Sequence, residues 1–131
     1  MKFLSNEWFD TMIGNAKAAF SKPGKLSLTY CEVFTDIPGE DDKWLFIELQ
    51  NGMISSASYG SGKCPDADYV GSGKYDDHVK ICKGILGPKK AVMDGIFVIK
   101  DNVKAGAMRT IQLIGMYNKL VEAKDIPGVE Y

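Results

Sequence analysis

The stretch from Ala67 to Ala123 constrains the fold more than any other part of the chain. In order it reads as a strand, a short helix, a Gly-Pro turn, a second short helix, a strand and a long apolar helix. The last of these, predicted over Val103–Ala123, is apolar round more of its circumference than one core contact needs. In a chain of 131 residues that surplus points to a greasy interior partly filled by something other than protein.

The front half reads as a helix followed by antiparallel strands. Ser5 is the expected N-cap of the first helix, with Glu7 in the first turn, where the helix dipole favours an acid. Trp8, Phe9, Met12, Ile13, Ala16 and Phe20 follow at helical spacing, and Ser21-Lys22-Pro23-Gly24 ends the run. Lys25–Phe34 alternates, with Leu26, Leu28 and Tyr30 opposite Lys25, Ser27 and Thr29, as a half-buried strand does. Lys43–Gln50 is a second strand with Leu45, Ile47 and Leu49 on one side and Trp44 and Phe46 on the other, so alternation leaves its inward face open. Asn51-Gly52 is a strong hairpin signal, because both residues accept positive φ. Met53–Tyr59 returns as a third strand, its Ser55, Ser56 and Ser58 suited to an edge.

Further strands are expected over Ala67–Val70 and Ile96–Lys100, and short helices over Tyr75–Lys83 and from Pro88 to Gly95, Pro88 serving as a first helical residue. Asp101 or Asn102 is the expected cap of the final helix. The fold class is therefore α+β: one domain over residues 1–131, a five-stranded, mostly antiparallel sheet with one face covered by helices. The covering helices are few, so the space between them and the sheet is a natural ligand site.

Composition narrows the function. The net charge is −1, and only one of the 16 basic residues, Arg109, is an arginine, which argues against nucleic acid as a partner. No apolar run approaches the ~20 residues that span a bilayer, so stable membrane insertion is not expected. The N-terminus lacks the pattern of a secretory signal, and Cys31, Cys64 and Cys82 are odd in number and lack CxxC spacing, which together read as a cytoplasmic protein with reduced thiols.

Chemical motifs are weak. Gly60-Ser61-Gly62-Lys63 and Gly71-Ser72-Gly73-Lys74 each miss two positions of a phosphate loop and read as flexible turns. His78, the only histidine, reads as a partly exposed residue on the polar side of its helix, beside Asp76 and Asp77. Glu40, Asp41 and Asp42 read as a solvated loop. No catalytic set, cofactor or metal is expected. In the final helix, Ala107, Met108, Ile111, Ile114, Gly115 and Val121 form one apolar stripe, and Leu113, Met116, Tyr117 and Leu120 spread beyond it. Gly106 and Gly115, each about 1 kcal/mol worse than Ala inside a helix, suggest close approach or mobility there. Met93, Met108 and Met116 are adaptable linings.

Ala67-Asp68-Tyr69-Val70, the helix after it, and the run Gly84-Ile85-Leu86-Gly87-Pro88-Lys89-Lys90-Ala91 through Gly95 to Lys100 resemble the sterol carrier protein 2 domain. Gly84, Leu86, Pro88, Ala91, Gly95 and Ile99 fall at that family's spacing, and the likeness extends over nearly the whole chain. Asp101 departs from it, standing where the family usually has Gly, and the chain ends Val129-Glu130-Tyr131 rather than in Ser-Lys-Leu. The resemblance implies a hydrophobic tunnel between sheet and helices for a fatty acid, acyl thioester, sterol or similar lipid, with the last helix as wall or lid. It also implies non-catalytic binding or transfer. The expected lining is Phe97, Ile99, Met108, Ile111, Ile114 and Tyr117, with Ile81, Leu86 and Met93 from the short helices. The competing expectations are a homodimerising module that uses an exposed Trp44 and Phe46 face, and an enzyme built on His78 and Asp76.

Overall fold

The computed structural model describes residues 1–131. The elements run α1 (Asn6–Ala19), β1 (Leu28–Thr35), β2 (Lys43–Gln50), β3 (Met53–Ser61), β4 (Tyr69–Lys74), α2 (Tyr75–Cys82), α3 (Pro88–Met93), β5 (Val98–Asp101) and α4 (Ala107–Ala123). One five-stranded sheet has the order β3-β2-β1-β4-β5. Three of its four pairings are antiparallel, and β1 runs parallel to β4 at the centre.

Register settles which side chains face the helices. Tyr30 pairs with Ile47 and with Tyr69, and Glu32 with Leu45 and Gly71, so these positions share one face with Leu28, Phe34 and Leu49. Leu45, Ile47 and Leu49 are the buried side of β2. Ser55, Ser56 and Ser58 lie exposed on β3, which is an edge strand as the serines suggested. Trp44 and Phe46 are half-buried rather than exposed, and Trp44 lies over Gly60, where a Cβ would stand 2.6 Å from its ring.

The main core joins α1, the sheet and the C-terminal half of α4. Ser5 Oγ accepts the Trp8 amide at 3.2 Å, as expected of the N-cap. Trp8, Phe9, Met12 and Ala16 are buried, and Phe9 stacks on Tyr59 at 4.7 Å with the rings 7° apart. Leu113, Met116, Leu120 and Ala123 meet this core from α4.

One expectation about glycine fails for a steric reason, and another loses its close-approach half. Gly71 to Lys74 is no flexible turn; it continues β4. A Cβ at Gly71 would run into Tyr30 Oη and the Phe97 ring, and one at Gly73 would stand 3.1 Å from that ring and 3.2 Å from His78 Nε2. These glycines make room for three aromatic rings. Gly106 is the N-cap of α4, at φ 89°, not an interior residue, and a Cβ at Gly115 would meet nothing within 4 Å. Asp101 caps no helix: it closes β5, and its carboxylate accepts the amides of Val103, Lys104 and Ala105 at 3.0, 2.7 and 3.0 Å. Those three bonds fold the 102–106 loop and delay the helix to Ala107.

Candidate functional site

An apolar cavity of about 240 Å³ lies between β4, β5, α3 and the first half of α4. Tyr69 comes from the inner face of β4, and Phe97, Ile99 and Asp101 come from β5 and its approach. Val92 stands on α3, while Thr110, Leu113 and Ile114 hang from α4. Gly95, at φ 72°, turns the chain from α3 toward β5 and leaves the wall open at its own position. Val98 stands at the mouth, lining the cavity while remaining exposed. The polar groups of the lining are Asp101, Thr110 and the Tyr69 hydroxyl, which is buried and has no partner.

The roof is unevenly held. None of the residues Ala107 to Gln112 is buried, whereas Leu113, Met116, Tyr117 and Leu120 all are. α4 therefore does two things: its C-terminal half seals the core, and its N-terminal half overhangs the cavity with little packing beneath it.

Phe97 forms the back wall, stacked on Tyr117 at 4.4 Å with the rings 9° apart. Near it lies a buried polar cluster. Glu32 Oε1 accepts the Tyr30 hydroxyl at 2.9 Å, and Oε2 accepts Lys124 Nζ. Lys124 Nζ also stands 5.6 Å from the ring centres of both Phe34 and Tyr117. Burial alone would raise the Glu32 carboxyl; Lys124 above all, then His78 and the hydrogen bonds, outweigh it and hold the group below its ordinary value. His78 is not partly exposed but buried, 1% accessible, with its Nε2–H donating to Val33 O at 3.2 Å. Its ring lies 4.2 Å from Phe34 and 5.7 Å from Phe97. Burial pulls its pKa down to about 4, against the opposing pull of Glu32. Asp76 is exposed on the same helix, so the two do not converge on a reacting centre.

Of the residues expected to line a lipid site, the structure brings Phe97, Ile99 and Ile114 to the cavity. Ile81 and Tyr117 pack behind Phe97 in a small buried cluster, with Leu86 against it. Met93, Met108 and Ile111 turn outward, at 73%, 73% and 67% exposure. Both apolar stripes of α4 satisfy helical spacing; the one carrying Leu113, Met116, Tyr117 and Leu120 was taken inward, and the one carrying Met108 and Ile111 was not. Tyr69, Val92, Val98, Asp101, Thr110 and Leu113 were not foreseen. Tyr69 had a signal, since it shares the inner face of β4 with Gly71 and Gly73, positions at which the facing aromatic rings of Tyr30, Phe97 and His78 leave no room for a side chain.

No protein-family model and no curated protein sequence matches the chain. Solved structures do. A crystal structure of sterol carrier protein 2 superposes with a TM-score of 0.75 over 94% of this chain and 97% of its own, at 16% identity. The fold is that of sterol carrier protein 2. A Thermus thermophilus protein described as possibly a sterol carrier protein gives a TM-score of 0.68 at 18% identity, covering 95% of this chain and 89% of its own. Palmitated sterol carrier protein 2 like 2 from Aedes aegypti gives 0.52 at 15% identity, over 80% and 92%. The sterol carrier protein 2 fold here is the mixed, mostly antiparallel sheet with α1 and α4 across one face. No helix of the chain is long and apolar enough to cross a membrane.

Proposed function

We propose that this protein is a non-catalytic binder or carrier of lipid, with an acyl chain or similar apolar segment held in the cavity beneath the first half of α4. The observation that carries the reading is the cavity itself: about 240 Å³, with seven of its ten lining residues hydrophobic, under a roof whose first six residues are unburied. A palmitated neighbour of the same fold supports it. Each buried methylene contributes about 0.8 kcal/mol, so even a short segment binds usefully and chain length is read loosely. The volume is below the roughly 300–1,000 Å³ usual for ligand sites. A long chain is accommodated by outward movement of residues 107–112. The Tyr69 hydroxyl, buried and without a partner, suits a ligand hydroxyl or carbonyl, while the Asp101 carboxylate is already held by three backbone amides.

Titration with the fluorescent fatty acid cis-parinaric acid tests this. Ile114→Trp fills the cavity from α4 and is expected to abolish binding while the thermal midpoint is kept. A parent protein that binds neither this probe nor any acyl or sterol probe, and carries no lipid in native mass spectrometry, overturns the reading.

A further inference from the structure

Between β3 and β4 the chain has to cross two strands. These elements follow one another in sequence, yet in the order β3-β2-β1-β4-β5 they are separated by β2 and β1, which residues 62–68 must pass. α1 and α4 cover one face of the sheet, which leaves the other for the crossing. Its start is held at Asp42, whose carbonyl accepts the Gly62 amide at 2.7 Å. Its end is held at Thr29: the Asp68 carboxylate accepts the Thr29 amide at 3.1 Å, and Thr29 Oγ1 accepts the Asp68 amide at 2.8 Å. The segment therefore runs diagonally, from the Lys43 end of β2 to the Thr29 end of β1.

Cys31 lies under that diagonal. Tyr30 and Glu32 point to the helices, so Cys31 between them points to the opposite face, and it is fully buried there. Cys64 belongs to the crossing segment and is half-buried. The two residues meet, the Cys31 thiol donating a hydrogen bond to the Cys64 sulfur. Burial first, and then Cys64, push the Cys31 thiol up to about 12. From hydrogen-bond contact, a small movement of a loop side chain brings two sulfurs to bonding separation. Cys82 is placed differently. It stands on α2 against the main core, on the helix side of the sheet with Lys124 and Glu32 near it, and burial raises its thiol to about 11.

We propose that Cys31 and Cys64 are a reversible oxidation site, joined as an intramolecular disulfide when the protein meets a peroxide. Cys64 reacts first, because it is the more accessible of the two. Its sulfur attacks one oxygen of hydrogen peroxide. The O–O bond breaks, the thiol proton leaves with the departing oxygen as water, and Cys64 becomes a sulfenic acid. The Cys31 sulfur then attacks the Cys64 sulfur. The S–O bond breaks, and the hydroxyl leaves with the Cys31 proton as a second water. The two thiols give up two electrons, and the peroxide takes them. The high pKa of Cys31 makes this second step the slower one. The inference stands apart from the lipid cavity, which lies on the helix side of the sheet.

Hydrogen peroxide in small molar excess over the folded parent tests it, followed by iodoacetamide in urea and peptide mass spectrometry. Untreated protein should take three labels. Treated protein should take one, on Cys82, with the Cys31 and Cys64 peptides cross-linked until dithiothreitol is added. The oxidised protein should stay monomeric in light scattering, and its thermal midpoint should rise, because the bond closes the long loop from β1 through β3. Cys64→Ser should keep both remaining thiols through the same treatment, and Cys82→Ser should still form the cross-link. Neither position is fully buried, so folding is expected to hold, and circular dichroism checks it. Three labels after treatment, or Cys64 carried on to a sulfinic acid while Cys31 still takes its label, overturns the proposal. A bond to Cys82 or between two molecules overturns it as well. So does an intramolecular bond that lowers the midpoint, since the pair would then have been drawn out of its native placement.

Discussion

Acid should destabilise this protein above about pH 4.5 chiefly through His78, and the size of the effect follows from where that side chain is buried. His78 is 1% accessible between Phe34 and Phe97, and its pKa in the fold is about 4. In the unfolded chain a histidine titrates near 6.5. The unfolded state therefore binds the proton first. The stability that the neutral ring contributes is fully present above about pH 6.5, falls as pH drops below that value, and stops falling below about 4, where the folded form takes the proton too. Between those limits the slope approaches about 1.4 kcal/mol per pH unit, and by pH 4.5 the loss is about 2.5 kcal/mol. Glu32, held below its ordinary value, acts in the same direction, its contribution vanishing as pH falls through the carboxylate range. The assay is urea unfolding followed by tryptophan fluorescence from pH 7.5 to 4.5, on the parent and on His78→Phe. The variant starts less stable if its Val33 contact matters, but its pH profile should be flatter by about 2.5 kcal/mol over the range. His78→Gln, which keeps a donor for Val33 O, should be flatter by the same amount. Parallel profiles for all three proteins would mean that His78 is charged or hydrated in the native state, and would refute the reasoning.

The Glu32–Lys124 pair is buried on both sides, so Lys124→Met or Glu32→Gln alone should cost about 3–5 kcal/mol in urea unfolding, while the two together cost less than their sum. Gly71→Ala forces a methyl group against Tyr30 and Phe97 and should cost about 1–3 kcal/mol, read as a lowered thermal midpoint. The Cys31 thiol is pushed up to about 12 by burial, with Cys64 adding to the shift, so iodoacetamide at pH 8 should leave Cys31 unlabelled in the folded protein and label it once urea is added, as peptide mass spectrometry shows.

Much of this fold can be read from local pattern. The Ser5 cap, the aromatic spacing of α1, the β2 boundaries, the Asn51-Gly52 hairpin and the serine-rich edge strand all appear where neighbouring residues alone demand them. Each depends on contacts a few residues apart, and such contacts leave a periodicity. The spacing from Gly84 to Ile99 pointed to the architecture through its resemblance to the sterol carrier protein 2 domain, and Gly84 and Gly95 do stand at positive φ while Pro88 opens α3.

The site was settled elsewhere. Val98, Thr110 and Tyr69 belong to the cavity only because β5 pairs with β4 and α4 crosses above them, and pairing across thirty residues leaves no local mark. α4 offers two apolar faces of equal merit; packing against α1 and the sheet took Leu113, Met116 and Leu120, and so turned Met108 and Ile111 to the outside. His78 looked polar beside Asp76 and Asp77, yet Gly73 of β4 opened the space that took its ring inside. Local sequence thus determined which segments are helix and strand, through hydrogen bonding and side-chain period. Tertiary packing decided which of two acceptable faces is buried, because that choice depends on how much apolar area the partner surface removes from water.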